Sequence, residues 1–207
     1  MTGRVQGKVA LVCGAGSVGP GWGNGKATAF LLAQENASVF AVDLNPDAAQ
    51  ETGAVITAAG GMAIPYVADV SRPQDVDQMV SACLDRFGRI DILHNNVGIV
   101  EVGGAIETTE ESWDRVNAVN LKSVFLTCKA VLPYMERQGW GVITNVSSIA
   151  GIRWIGVPYV SYSATKAAVI QFTRSVALEF ARKNIRANCI LPGLMNTPMI
   201  IQPLKEV

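Results

Sequence analysis

Histidine is almost missing from this chain: among 207 residues there is one, His94. The four cysteines, Cys13, Cys83, Cys128 and Cys189, stand far apart and offer no zinc or dithiol spacing, so no metal centre is expected. They read instead as small buried hydrophobes of a reducing compartment. Charge is sparse and balanced: seventeen basic and seventeen acidic side chains leave no formal net charge and form no long block of one sign. Nucleic acid and acidic membrane surfaces are therefore not expected as partners. No long uninterrupted apolar run is present either. The first one, after Lys8, is broken by Gly14 and Gly16, and Met1 to Lys8 reads neither as a signal peptide nor as a membrane span. A cytoplasmic protein follows as the expectation. About half of the residues, 49%, are hydrophobic, which suits one domain over 1–207 with an ample core.

What the chain does have begins with Tyr162-Ser163-Ala164-Thr165-Lys166, early in an Ala-rich stretch from about 160 to 183 that reads as helix. Four-residue spacing puts the phenol and the ammonium on one helical face. A phenol titrates near ~10, and a positive charge ~5 Å away at an effective dielectric of ~20 would bring it down by about two units before screening. That is the direction acid/base chemistry needs. A lone Tyr-x-x-x-Lys is also compatible with two unremarkable helix-surface residues. The company it keeps argues otherwise. Ile143 to Val146 reads as a strand that ends in Ser147-Ser148, so the Ser148 hydroxyl falls at the carboxyl edge of a sheet, where open α/β folds bind ligands. Val9 to Cys13 reads as a strand buried on both faces, followed by a glycine-rich turn from Gly14 to Gly25 and a helix from about Lys26. Strand, turn and helix in that order can hold a pyrophosphate on backbone N–H groups. Ser38 to Asp43 reads as the second strand, and Asp43, eighteen residues beyond Gly25, can hydrogen-bond the adenosine ribose diol and repel a 2′-phosphate. Its other reading is a cap for the helix that starts near Pro46.

With these motifs the sequence resembles the short-chain dehydrogenase/reductase family over nearly its whole length. The resemblance implies a three-layer, doubly wound Rossmann α/β fold with a parallel sheet ordered 3-2-1-4-5-6. It matches Gly14, Gly23 and Gly25 to the family's turn glycines, with 18–22 as an insertion and Asn24 between the last two; Gly19 and Gly21 are the alternative. Trp22 is then a packing residue or a lid. Asp69 and Val70 are implied to flank the adenine, and Asn95 and Asn96 to support the central strand and line the cofactor's ribose. Asn120 is implied to sit in an irregular stretch of a helix from Glu110 to Arg137, whose main chain holds a relay water. Met195 and Thr197 are implied to grip the nicotinamide, and Trp154 and Ile155 to stand near the substrate. His94, one residue before the asparagine pair, has no necessary task in such chemistry.

The resemblance thus implies an NAD-dependent oxidoreductase, NADP being disfavoured by Asp43, that moves a hydride between NAD(H) and a secondary alcohol or ketone. Tyr162 is the implied acid/base, with Lys166, Ser148 and Asn120 as partners. Helices 110–137 and 160–183 are the implied contact of a homodimer or homotetramer, or simply core faces. The family's seventh strand and mobile substrate segment have no counterpart after Pro198, so the chain reads as a shortened member whose sixth strand is an exposed edge. That keeps open a non-catalytic NAD-binding module, a fragment that does not fold alone, and a lyase or epimerase on the same fold.

Overall fold

The computed structural model describes residues 3–198. Six strands form one parallel sheet in the order β3-β2-β1-β4-β5-β6: β1 is Val9–Cys13, β2 Ser38–Asp43, β3 Met62–Val67, β4 Ile92–Asn95, β5 Gly141–Val146 and β6 Ile185–Ile190. This is the order the sequence resemblance implies. The order reverses between β1 and β4, whose register pairs Cys13 with Asn95. That reversal opens a crevice at the carboxyl ends of the strands.

Helices cover the sheet in two layers. α1 (Asn24–Gln34) and α2 (Pro46–Ala58) share a core with Ala10, Val12, Val39 and Ala41. On the opposite face α3 (Pro73–Phe87), α5 (Ser123–Gln138) and α6 (Val160–Phe180) pack on Leu11, Phe40, Leu93 and Ile143. The strand sequences explain why two layers form. VALVC is buried at every position, and SVFAVD is buried at its four central ones, as strands covered on both sides must be. α2 starts at Pro46 behind Asn45, whose Oδ1 accepts the N–H groups of Asp47 and Ala48 at 2.9 and 3.4 Å. The cap is thus Asn45, which removes that alternative for Asp43.

The helical stretch after Thr109 is not uniform. α4 (Glu110–Asn117), capped by the Thr109 hydroxyl, passes into a π-turn at Ala118–Lys122 before α5 begins, and Gly139 ends α5 in a left-handed conformation, φ 68°. The extra residue of the π-turn carries the wholly buried Asn120. Opposite the crevice, buried Asp91 anchors the sheet: it takes a two-point ion pair from Arg89 at 2.6 and 2.7 Å and the N–H of Val9 at 2.9 Å.

A buried polar relay ties β4 and β5 to their helices. The Thr127 hydroxyl donates to Asn95 Oδ1, Asn95 Nδ2 donates to Asn145 Oδ1 and Asn145 Nδ2 to the Thr173 hydroxyl, each at 2.9 Å. The last hydroxyl donates to the Val169 carbonyl.

Candidate active site

A cavity of about 600 Å³ crosses the carboxyl ends of all six strands. At its left side lies the glycine turn. Gly14 has φ +75°, and a Cβ there would stand 3.0 Å from the Val97 nitrogen. Gly16 donates its N–H to Asp43 Oδ2 at 2.9 Å, and Asp43 Oδ1 takes the N–H of Asn45 at 3.0 Å. Asp43 therefore folds the turn against the end of β2 while it lines the cavity. Gly23 is the N-cap of α1 and brings no side-chain cap, which leaves the first N–H groups of that helix free of one. Gly23 and Asn24 line the cavity; Gly25 does not. Its role is packing: a Cβ on Gly25 would overlap the Gly14 carbonyl oxygen. The helix starts at Asn24, two residues before the Lys26 expected from the sequence, and 18–22 forms a loop outside it.

That loop is held by Lys26, which is buried and donates to Glu51 at 2.6 Å and to the Gly21 carbonyl at 3.3 Å. Trp22 packs edge-on against Phe30 with centroids 5.3 Å apart and does not line the cavity. It is a packing residue. The buried hydroxyl of Ser17, which has no partner, and the open start of α1 form a cradle of the kind that accepts a phosphate oxygen.

Asp69 and Val70 line the cavity at the end of β3, where Asp69 Oδ1 is occupied by the Ser71 N–H and hydroxyl at 2.9 and 2.6 Å. The two asparagines after β4 part company. Asn96 lines the cavity and donates to the Gly14 carbonyl at 3.0 Å. Asn95 points into the core and belongs to the relay described above, so it does not line a ribose. Strand alternation is the reason: neighbours face opposite sides. His94 is also buried, its Nε2 has no partner, and burial pushes its pKa down to about 4. It stays neutral and outside the cavity.

At the right side stand Ser148, Tyr162 and Lys166, all three on the cavity wall. Ser148 follows β5 in extended backbone, and its hydroxyl accepts the Ala150 N–H at 3.1 Å. Lys166 is tied to β5 twice: Nζ donates to the Val146 carbonyl at 2.9 Å, and its own carbonyl takes the Ser147 hydroxyl at 2.7 Å. Sequence reasoning passed over Ser147, which fixes the height of α6 above the sheet. Gly98 faces the ammonium so closely that a Cβ would stand 3.1 Å from Nζ.

The electrostatics differ from the simple charge argument. Burial pushes the Tyr162 phenol above its ordinary value, with the Ser148 hydroxyl pulling the other way. Burial also brings Lys166 down to about 8. Lys166 Nζ lies 5.6 Å from the Tyr162 ring centroid and spends a hydrogen bond on Val146, so in the protein alone desolvation outweighs the expected relief of the phenol.

Asn120 does not line the cavity. Its side chain clamps Ile99, accepting its N–H at 2.8 Å and donating to its carbonyl at 2.9 Å, which leaves only the main chain of the π-turn for any relay. Met195 and Thr197 line the cavity beyond β6, joined by a 2.8 Å backbone bond. Trp154 is 71% exposed, and neither it nor Ile155 lines the cavity.

Comparison with known proteins agrees with this architecture. Residues 8–206 match the short chain dehydrogenase family. The chain is 41% identical over 197 residues to a 3-oxoacyl-[acyl-carrier-protein] reductase of Thermotoga maritima, covering 95% of this chain and 77% of that protein. A short-chain dehydrogenase/reductase structure from Burkholderia xenovorans superposes with a TM-score of 0.96 at 48% identity, over 99% of this chain and 81% of that one. An NAD⁺-bound xylitol dehydrogenase structure gives 0.90 at 33% identity, over 97% and 75%. With its strand order, its glycine turn and its Ser148, Tyr162 and Lys166 gathered on one cavity wall, the chain belongs to the short-chain dehydrogenase/reductase family of nicotinamide-dependent oxidoreductases.

Proposed function

We propose that this protein is an NAD-dependent oxidoreductase that interconverts a secondary alcohol and its ketone. The observation that carries the reading is one cavity that has a carboxylate suited to a ribose diol at one side and the Ser148, Tyr162 and Lys166 group at the other. When bound, NAD(H) supplies the hydride acceptor or donor. Gly14, Gly16, Gly23 and Asn24 would hold its pyrophosphate, Asp43 the adenosine ribose, Asp69 and Val70 the adenine, Asn96 the central ribose region, and Met195 and Thr197 the nicotinamide side.

The protein's own residues then handle the proton. Tyr162 gives its phenolic proton to a ketone oxygen or takes one from an alcohol, and Ser148 orients that oxygen by hydrogen bonding. The Lys166 ammonium, held by Val146, holds the nicotinamide ribose and stabilises the phenolate once the site is filled. Asn120 sustains the π-turn whose main chain can pass the proton on through water. NAD is preferred to NADP because Asp43 already faces the cavity and no Lys or Arg follows at Leu44 or Asn45.

A cytoplasmic setting and a homodimer or homotetramer complete the reading. Trp113, Phe125 and Leu178, exposed on α4, α5 and α6, support the association, whereas Val176 is spent in the core. No helix among the described residues is long and apolar enough to cross a membrane.

Thermal unfolding of the whole chain with excess NAD⁺, NADH, NADP⁺ or NADPH, followed by NADH formation on an alcohol panel, tests this reading. Ligand at ~100 times its dissociation constant adds ~2.7 kcal/mol, or roughly 5–10 °C for a domain of this size. A rise with NAD(H) alone and turnover on the panel are expected. A larger rise with NADP(H) would refute the Asp43 argument, and a rise without turnover would favour the non-catalytic NAD-binding module.

A further inference from the structure

Thr52, wholly buried on α2, sends its hydroxyl out of its own helix. A helical threonine ordinarily bonds back to the carbonyl four residues earlier, and Thr52 keeps that contact, to Ala48 at 3.1 Å. Its shorter contact, 2.9 Å, is to the carbonyl of Ala15 in the glycine turn, 37 residues away. Thr57, on the same helix, makes the ordinary bond, to Gly53 at 2.9 Å, and no second one among the described residues.

The Ala15 carbonyl belongs to the same peptide unit as the Gly16 N–H, which donates to Asp43 Oδ2 at 2.9 Å. That unit is thus held at both ends, by Thr52 on one side and Asp43 on the other. So are the two before it. The Cys13 and Gly14 carbonyls accept from the Asn96 N–H and side chain, each at 3.0 Å, and the Gly14 and Ala15 N–H groups both reach the Val42 carbonyl at 2.8 Å. Three successive peptide planes are therefore pinned, and Thr52 is the contribution of α2 to the set. The turn has no slack here: a Cβ on Gly16 would stand 2.6 Å from Ala48 Cβ and 2.8 Å from Asp43 Oδ2. Just beyond lies the buried Ser17 hydroxyl, which has no partner.

Removal of the Thr52 hydroxyl would leave the carbonyl of the wholly buried Ala15 unsatisfied. Rotation of the peptide to repair that loss takes the Gly16 N–H away from Asp43, whose carboxylate then keeps one of its two backbone donors. We propose that Thr52 is a positioning residue for the cofactor: from α2 it fixes the Ala15–Gly16 peptide, and through that peptide it holds the Asp43 carboxylate in the orientation that receives the adenosine ribose. The proposal rests on the NAD-binding reading above. Thr52 does not line the cavity and acts through Ala15, Gly16 and Asp43. Its contribution is preorganisation, so it is read in cofactor affinity and not in the proton transfer.

The experiment is calorimetric titration of the whole chain with NAD⁺, at a temperature where every variant is folded. It compares wild type with Thr52→Val, Thr52→Ser, Thr57→Val, Asp43→Asn and the double variant Thr52→Val/Asp43→Asn. Thr52→Val keeps the side-chain shape without the hydroxyl, and NAD⁺ should bind roughly 10-fold more weakly, the scale of one buried hydrogen bond. Thr52→Ser restores the donor and should stay within about twofold of wild type. Thr57→Val removes the ordinary helix bond and should leave the affinity within about twofold. In the Asp43→Asn background Thr52→Val should cost less than about threefold more, because both substitutions act through one peptide. An affinity unchanged in Thr52→Val, whatever happens to the unfolding midpoint, makes Thr52 purely structural and overturns the proposal. Full additivity with Asp43→Asn, or a loss in Thr52→Ser as large as in Thr52→Val, overturns it as well. If Thr52→Val does not fold, Thr52→Cys replaces it: the thiol fills the same place and is a weaker donor, so a loss in the same direction is expected. Failure of wild type to bind NAD⁺ fails the NAD-binding reading itself, a result separate from a Thr52→Val chain that binds like wild type.

Discussion

The two halves of the sheet are built differently. β1 and β2, under the glycine turn, are buried on both faces, whereas β5 and β6 alternate between buried and accessible positions, as GVITNV and IRANCI read along the chain. Among the described residues β1 and β2 lie inside a three-layer sandwich, with β3 as its partly buried edge. The half that carries Ser148 and Tyr162 has one covered face, and Ile190 at the sheet edge is 49% exposed. The first half keeps its shape through apolar packing and two glycines in backbone contact. The second keeps it through specific hydrogen bonds, those of Ser147, Lys166, Asn120 and the asparagine relay. Cofactor recognition and chemistry should therefore fail independently when each half is damaged.

The largest effect should come from the reacting half. Tyr162→Phe removes the proposed proton donor without changing the packed ring, and kcat should fall by about 10³-fold or more, the upper range for a general acid/base. NAD affinity should stay within about threefold, measured by calorimetric titration. Activity near wild type would remove Tyr162 from the mechanism.

Next comes Gly25→Ala in the adenosine half. The added methyl collides with the Gly14 carbonyl, and both partners are backbone, so no side chain can swing away. A loss of about 3 kcal/mol is expected, seen as a fall of roughly 6–12 °C in the unfolding midpoint. The response to NAD should vanish with it. An unchanged midpoint would show that α1 and β1 are not in such close contact.

Comparable at most to that loss is a pH signature of Lys166, whose pKa is held at about 8 against an ordinary 10.5. Between those values the unfolded chain binds the proton and the folded one does not, so stability rises with pH across that window. Below pH 8 the buried ammonium costs the apo protein up to about 3 kcal/mol. Relative to Lys166→Met, wild type should thus gain stability from pH 8 to 10.5 in urea titrations. Parallel curves would mean that the Val146 carbonyl compensates the charge fully.

Much of the fold was legible because its signals are local. The strand runs, the glycine turn and the Gly139 stop each declare themselves within a few residues, while the helix expected from about Lys26 begins two residues earlier, at Asn24. What stayed hidden depends on side-chain direction or burial. Asn95 and Asn96 look equivalent in sequence, yet one enters the core and the other the cavity. The Tyr162 and Lys166 spacing gave the geometry but the wrong electrostatic balance, because desolvation is a property of everything packed around the pair. Ser147, Asn45 and Lys26 act through partners 19, 2 and 25 residues away, and only the Asn45 cap had a local signature.

The asparagine relay also bears on how faithfully the sheet assembles. Parallel strands pair along their whole length by backbone alone and would accept a neighbour shifted by two residues with the same face still inward. Thr127, Asn95, Asn145 and Thr173 do not accept it. Their donors and acceptors meet only when Asn95 lies opposite Asn145, which is the observed register. A slipped pairing would bury those groups unsatisfied at about 1–3 kcal/mol each. The relay thus acts as a proofreading mark written across the centre of the sheet: it discriminates against the misaligned forms and leaves the correct one a single seat for α6, with Tyr162 on it.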